Sequence, residues 1–231
     1  MPDTGLGYRD GKPATDEPAP DLPDAAASGM GLRGWARYRA LLDAASTLFV
    51  EKGYAATSLS DVLRLAGGSR TTLYTRFGDK DGLFRAMMEE HCARVLAGMT
   101  PDTAPDSAAD PEERLTRIAL HIADTLMAPE TTAILRTLIS EGVRVPDLVE
   151  TFVRVGPDRT RARLAACLDE LQAAGLIRIE DPEMAAQAFC GMVTGNLLLE
   201  RLILPGRPVD RAAVETYVRE CVRLFLRGAA A

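Results

Sequence analysis

The stretch from Leu59 to Phe84, LSDVLRLAGGSRTTLYTRFGDKDGLF, constrains the fold more than any other part of the chain. Leu59, Val62, Leu63 and Ala66 recur at i, i+3, i+4 and i+7, the spacing of a short amphipathic helix. Gly67-Gly68 then supplies backbone that reaches positive φ and turns sharply. Ser69 is placed to cap a second helix over Arg70–Arg76 by accepting a hydrogen bond from a free backbone N–H. Leu73 and Phe77 fall on one face of that helix, and Arg70, Thr71, Tyr74 and Thr75 on another. Two short helices joined by a tight glycine turn make a helix-turn-helix, and a second helix with a basic, hydroxyl-rich face suits the major groove of DNA.

The rest of the chain reads as further helices. Leu41, Ala44, Ala45, Leu48 and Phe49 line one face of a helix over 34–52, which Gly53 can end. Ser58 and Asp61 have the spacing of a capping box ahead of the helix-turn-helix. Asp79 can cap a helix running to about Met99. Asp110-Pro111-Glu112 and Asp181-Pro182-Glu183 each combine a capping Asp, a first-turn Pro and a carboxylate facing the positive helix end. Helices are expected over 111–127, 130–141, 146–175 (broken or kinked at Gly156-Pro157), 182–204 and 210–227. Residues 100–110, TPDTAPDSAAD, read as a linker. Residues 1–33, with five prolines, five glycines and little apolar periodicity, read as a disordered tail.

A net charge of −6 argues at first against a nucleic-acid partner, but the charge is unevenly spread. Residues 34–98 carry nine basic and seven acidic side chains, whereas 1–33 carry three and six, and 99–231 carry fifteen and twenty. The segment holding the helix-turn-helix is the one with a net positive charge, and a local patch outweighs the whole-chain balance. Cys92, Cys167, Cys190 and Cys221 are widely spaced and have only His91 and His121 for company, so neither a disulfide framework nor a metal site is expected. They read as buried thiols of a reducing cytoplasm, in a chain without a secretory signal or a membrane span. No cofactor motif stands out. Without G-x-S-x-G, a P-loop, H-E-x-x-H or G-x-G-x-x-G after a strand, an enzyme is not expected.

The run from Ala66 to Phe84 resembles the DNA-binding signature of the TetR family of bacterial regulators, A-G-V-S-x-x-T-L-Y-x-x-F-x-x-K-x-x-L-F. Ala66, Gly67, Ser69, Thr72, Leu73, Tyr74, Phe77, Lys80, Leu83 and Phe84 match it, and residues 41–59 are similar to the family's first helix and Gly-Tyr turn. Gly68, Gly78 and Gly82 depart from the pattern and point to a looser turn and a weaker cap. The resemblance implies an all-α protein with a three-helix DNA-binding domain over 34–80 and a helical bundle for ligand binding and dimerisation over 81–231. It implies double-stranded DNA with a palindromic operator as one partner, a second copy as another, and a small-molecule inducer. The family's usual mode is repression. Regulation through a thiol or a protein partner is the alternative.

By this resemblance Tyr74 and Lys80 would contact phosphates. Thr57, Ser58, Ser69 and Thr72 can offer hydroxyls and N–H groups at helix starts. Arg70, Thr71 and Thr75 are the candidates for base edges, and Arg76 suits a phosphate or an intraprotein pair. Arg33, Arg37 and Arg39 are further cations within reach of phosphates. Gly191 and Gly195, with apolar Ala188, Met192, Leu198, Leu199 and Leu202 around them, would let a partner helix approach closely. Val214, Tyr217, Val218, Cys221, Leu224 and Phe225 form a second stripe. Each stripe can serve the chain's own core, a dimer, or both, and the family's equivalent pair forms a four-helix dimer bundle. His121, Arg136, Glu141, Thr194 and Asn196 are the polar candidates for an inducer pocket.

Overall fold

The computed structural model describes residues 31–99, 110–204 and 206–228. Among them are ten helices and no strand: α1 (Leu32–Lys52), α2 (Leu59–Ala66), α3 (Arg70–Phe77), α4 (Lys80–Ala97), α5 (Pro111–Met127), α6 (Pro129–Glu141), α7 (Pro146–Val155), α8 (Pro157–Ala173), α9 (Pro182–Ile203) and α10 (Arg211–Gly228). The first helix begins at Leu32, so Leu32 and Arg33 belong to it and not to a tail. The tail up to residue 30 and the linker at 100–109 lie outside the described residues.

Local chemistry sets the ends. Five helices start on a proline, whose fixed φ suits the first turn and whose missing N–H has no helical partner to lose. The carboxylates of Asp79, Asp110 and Asp181 accept from the N–H groups of Gly82, Glu112 and Met184. α8 closes in a Schellman motif: Gly175 takes φ +73°, its N–H reaches the Gln172 carbonyl at 2.9 Å, and that of Leu176 reaches Leu171 at 3.0 Å. At Gly156-Pro157 the helix breaks outright, because Pro157 cannot continue the ladder of α7.

The apolar faces gather into two cores that share α4. The first joins Leu41, Leu42, Ala45 and Phe49 of α1, Val62 of α2, Leu73 and Phe77 of α3, and Leu83, Phe84 and Met88 of α4. Ile134 and Leu138 of α6 and Leu148 and Val155 of α7 complete it. The second begins at Leu96 and Met99 and takes in Leu115, Leu164, Leu168, Phe189, Val193, Val218 and Val222 from α5, α8, α9 and α10. The packing therefore divides within α4, between Cys92 and Leu96, and the expected boundary at residue 80 falls inside the first core. α6 and α7 pack with the head, so the small N-terminal unit borrows from the body the apolar area that α1 and two short helices lack.

Candidate nucleic-acid interface

The helix-turn-helix is held from behind. Leu73 is fully buried and Phe77 nearly so, fixing one side of α3 to the core. Val62 does the same for α2. Ser58 and Asp61 form the full capping box: the Ser58 hydroxyl accepts the Asp61 N–H at 3.1 Å and the Asp61 carboxylate accepts the Ser58 N–H at 3.1 Å. Hydrogen bonds from Ser58, and more weakly the nearby Arg64 and Lys52, hold the Asp61 carboxyl below the usual carboxylate range. The Ser69 hydroxyl accepts the Thr72 N–H at 3.1 Å and lies 2.9 Å from the Thr72 hydroxyl.

The turn itself is tighter than the departures from the family pattern imply. Gly68 sits at φ +109°, where a Val would be strained, and the Arg37 side chain lies across it. Arg37 donates to the Ala66 carbonyl at 3.1 Å, closing the end of α2 from a position 29 residues upstream. Gly82 does not weaken the cap of α4, since it is the residue whose N–H the Asp79 carboxylate accepts at 2.8 Å. A Cβ on Gly82 would stand 1.9 Å from the Phe77 carbonyl oxygen, so only glycine lets α4 start this close to α3.

With its back in the core, α3 presents Arg70, Thr71, Thr72, Tyr74, Thr75 and Arg76 to solvent, Tyr74 with 53% of its surface open. The Arg70 guanidinium lies 3.4 Å from the hydroxyl of Ser60 on α2. Ser60 is exposed beside the same face. Sequence reasoning missed it, although its place two residues after the cap was a usable signal. Arg37 gave no such signal, because its contact is set by how α1 crosses α2.

Two of the expected contacts have other duties. Thr57 is 2% exposed, and its hydroxyl donates to the carbonyls of Gly53 at 2.9 Å and Leu48 at 3.2 Å. A hydroxyl buried and spent in this way does not reach DNA, which corrects its place among the candidates. The Lys80 ammonium donates to the carbonyls of Tyr54 at 2.9 Å and Thr57 at 3.2 Å and sits 4.2 Å from the centre of the Tyr54 ring. Lys80 therefore ties the α1–α2 loop to α4, with one of its three N–H groups left over. Arg39, another of the upstream cations, pairs with Glu90 on α4.

Beside this knot the head meets the body. Arg144, in the turn before α7, grips the Asp81 carboxylate with two hydrogen bonds of 3.1 and 3.0 Å and also bonds Glu141. The Tyr54 hydroxyl donates to Asp81 as well. The Arg144 fork, assisted by Tyr54, holds the Asp81 carboxyl below its ordinary value, while burial, reinforced by Asp81, raises the Tyr54 phenol well above its own.

The polar candidates for an inducer pocket do not converge. A hollow of about 440 Å³ lies between the end of α4, α5 and α8, and of the five only His121 lines it. Arg136 is exposed on α6, Glu141 is held by Arg144 at the head–body joint, and Asn196 lines a different hollow beside α10, with Thr194 in neither.

The two stripes separate just as clearly. On α9, Ala188, Gly191, Gly195 and Leu199 are exposed and Met192 and Leu202 are half-buried, with Ile203 extending the open apolar face. On α10, Val218 and Cys221 are buried and Val214, Tyr217 and Phe225 are packed inward. Tyr217 donates to the Met192 carbonyl, and Phe225 meets Phe189 edge-on at 5.0 Å. The α10 residues contribute to the chain's own core, while Leu224 of the same stripe stays exposed. The cysteines are all unpaired, and burial pushes the Cys92 thiol up to about 12 and Cys190 up to about 11. No helix among the described residues is long and apolar enough to cross a membrane.

Known proteins share this arrangement. Residues 41–87 match the family described as bacterial regulatory proteins, tetR family, and residues 113–228, half of the chain, match the AefR-like transcriptional repressor, C-terminal domain. The HTH-type transcriptional regulator BetI of Rhizobium meliloti (strain 1021) is 29% identical over 195 residues, 83% of this chain and 90% of BetI. The HTH-type transcriptional repressor ComR of Escherichia coli (strain K12) is 45% identical over 58 residues, 25% of this chain, which spans 28% of ComR. The crystal structure of a TetR-family regulator from Mesorhizobium loti MAFF303099 superposes with a TM-score of 0.80 at 28% identity, covering 87% of this chain and 100% of that one. A helix-turn-helix backed by a helical body, matched in both halves, assigns the chain to the TetR family of DNA-binding transcriptional regulators, which are not enzymes.

Proposed function

We propose that the protein is a homodimeric repressor that leaves a palindromic operator when a small molecule binds its body. The observation that carries this reading is the open face of α3, with Arg70, Thr71, Tyr74 and Thr75 exposed on a helix whose opposite side is locked by Leu73. Arg70 is the guanine reader, since a guanidinium fork matches the two acceptors on that base edge, and Thr71 and Thr75 make the neighbouring base contacts. Tyr74, Ser58, Ser69, Thr72 and Arg76 hold phosphates, and Lys80 adds its remaining N–H while bracing the loop.

One such head spans only a few base pairs, so affinity requires a pair, and the apolar face of α9 supplies it. The DNA-contacting surface lies within residues 34–80, braced by α4, α6 and α7, and 81–231 contains the dimer and ligand surfaces. Such a regulator works in the cytoplasm. Raised thiol pKa values leave little thiolate to react, which favours a bound ligand over a cysteine switch.

Selection of bound fragments from genomic DNA, followed by anisotropy titrations of every single-base variant of the enriched repeat, tests the reading. Arg70→Ala should relax discrimination at one base pair in each half-site by about 1–3 kcal/mol. An unchanged base profile, or equal affinity for random DNA, would remove Arg70 from the readout.

A further inference from the structure

We infer that the hollow between the end of α4, α5 and α8 binds an organic monoanion, a carboxylate on an apolar body; this rests on the inducer reading above. Two helix faces build it. α5 contributes Arg114, Arg117, Ile118 and His121, at i, i+3, i+4 and i+7, and α8 contributes Ala162, Arg163, Ala166, Cys167 and Glu170. The floor is apolar, with Met99 and Cys167 nearly buried. Ala162 and Ala166, too small to fill the space, leave it open.

The charge of the lining selects the ligand. Among the described residues three guanidinium groups line the hollow, and the one carboxylate of that lining, Glu170, is paired with Arg114. That balance reverses the trend of residues 99–231, which are net acidic. Arg163 is exposed and has no ion pair among the described residues. Past Arg117 and His121 the next hollow carries Asp110, Glu112, Glu113 and Asp124, so the positive region ends at that wall. A carboxylate fits a guanidinium fork with two parallel hydrogen bonds, and an apolar floor strengthens the attraction by excluding water. A cation would be repelled. The volume, about 440 Å³, lies within the range of small-molecule sites.

The same hollow touches the lever to the head. His121 Nε2 lies 2.8 Å from the Val95 carbonyl in the last turn of α4, and since a carbonyl can only accept, Nε2 carries the proton and donates. The His121 ring rests on Gly98, where a Cβ would stand 2.3 Å from Cε1. A ligand beside His121 therefore presses on the end of α4, whose opposite end packs against α3.

Calorimetric titration of the full-length protein with decanoate, decanol and decylammonium, matched in length and differing in charge, tests the assignment. Decanoate should bind about tenfold or more tightly than either of the others, the scale of a hydrogen bond to a charged group. Arg163→Ala should remove most of that preference while leaving decanol binding unchanged, and Ala166→Phe should block all three. Equal binding of the three probes, no binding of any, or an Arg163→Ala variant that keeps the preference would overturn the ligand class. Operator release is measured separately: selective decanoate binding that leaves the operator complex intact upholds the site and defeats the inducer reading alone.

Discussion

The recognition head and the hollow in the body are made from the same materials, yet their parts lie at very different separations along the chain. In the head the polar groups are used locally: Ser58 serves Asp61, Ser69 serves Thr72 and Asp79 serves Gly82, each three residues apart. In the body the hollow draws on residues 98–99, 114–121 and 162–170, and its internal pair, Arg114 with Glu170, spans 56 residues. A surface written in one short stretch survives small changes in how helices cross. A surface assembled from three helices exists only at particular crossing angles. The first can carry a fixed code, and the second can respond to a ligand.

The contrast fails if head and body prove to be separate bodies, and the shared core makes the most forceful test. Phe84 is fully buried on α4, stacked edge-on against Phe49 and Tyr54, in the core that α6 and α7 complete. Phe84→Ala should cost about 3–5 kcal/mol. Because Ile134, Leu138, Leu148 and Val155 join that core, denaturant should still unfold the chain in one transition, followed by circular dichroism and by Trp35 fluorescence together. Two transitions, with the head melting first, would mean that α6 and α7 do not bind the two parts into one unit.

The same difference in range explains what could be read in advance. Helix ends were legible because caps, first-turn prolines and glycine stops act within four residues, and the starts at Pro111, Pro146 and Pro182 fall where the sequence places them. The outward face of α3 was legible because Leu73 and Phe77 fix the opposite side. The inward bonds of Thr57 and Lys80 could not be read in advance: both reach carbonyls of the α1–α2 loop, and nothing in their own neighbourhood distinguishes a hydroxyl or ammonium turned inward from one offered outward. The stripes on α9 and α10 have similar periodicity, and only the packing of α5 and α8 decides how much of each stays open. Of the pocket candidates only His121 lines the hollow, since Arg114, Arg117 and Arg163 come together around it only once α5 and α8 are side by side.

A second test sharpens the contrast between those stripes. Gly195 is exposed on α9, and a Cβ there meets nothing within 4 Å. Gly195→Glu should leave the monomer fold intact, since helix propensity favours the change by up to about 1 kcal/mol. A carboxylate in an apolar contact should raise the dimer dissociation constant about a hundredfold or more. Sedimentation velocity should then give a monomer of unchanged helix content, against the dimer expected of the parent chain. A persistent dimer would move the interface off α9, and a loss of helix would show that the face is needed for the fold.

The smallest effect belongs to the joint, where the comparison is most exposed to correction. The Asp81 carboxylate ties Tyr54 of the head to Arg144 of the body. Both side chains of the pair are partly open to solvent, so screening keeps its contribution to about 0.5–1 kcal/mol, the loss expected for Asp81→Asn at neutral pH. The sign with pH follows from the lowered pKa of Asp81. A carboxyl that binds its proton less readily when folded adds stability above its unfolded value, near 4, and loses that contribution as pH falls through its folded value. The parent chain should thus lose more stability than Asp81→Asn between pH 6 and about pH 3, and the two unfolding curves should converge at the acid end. Parallel losses would mean that the fork contributes nothing in solution, leaving the shared α4 core and the Arg39–Glu90 pair to hold the head in place.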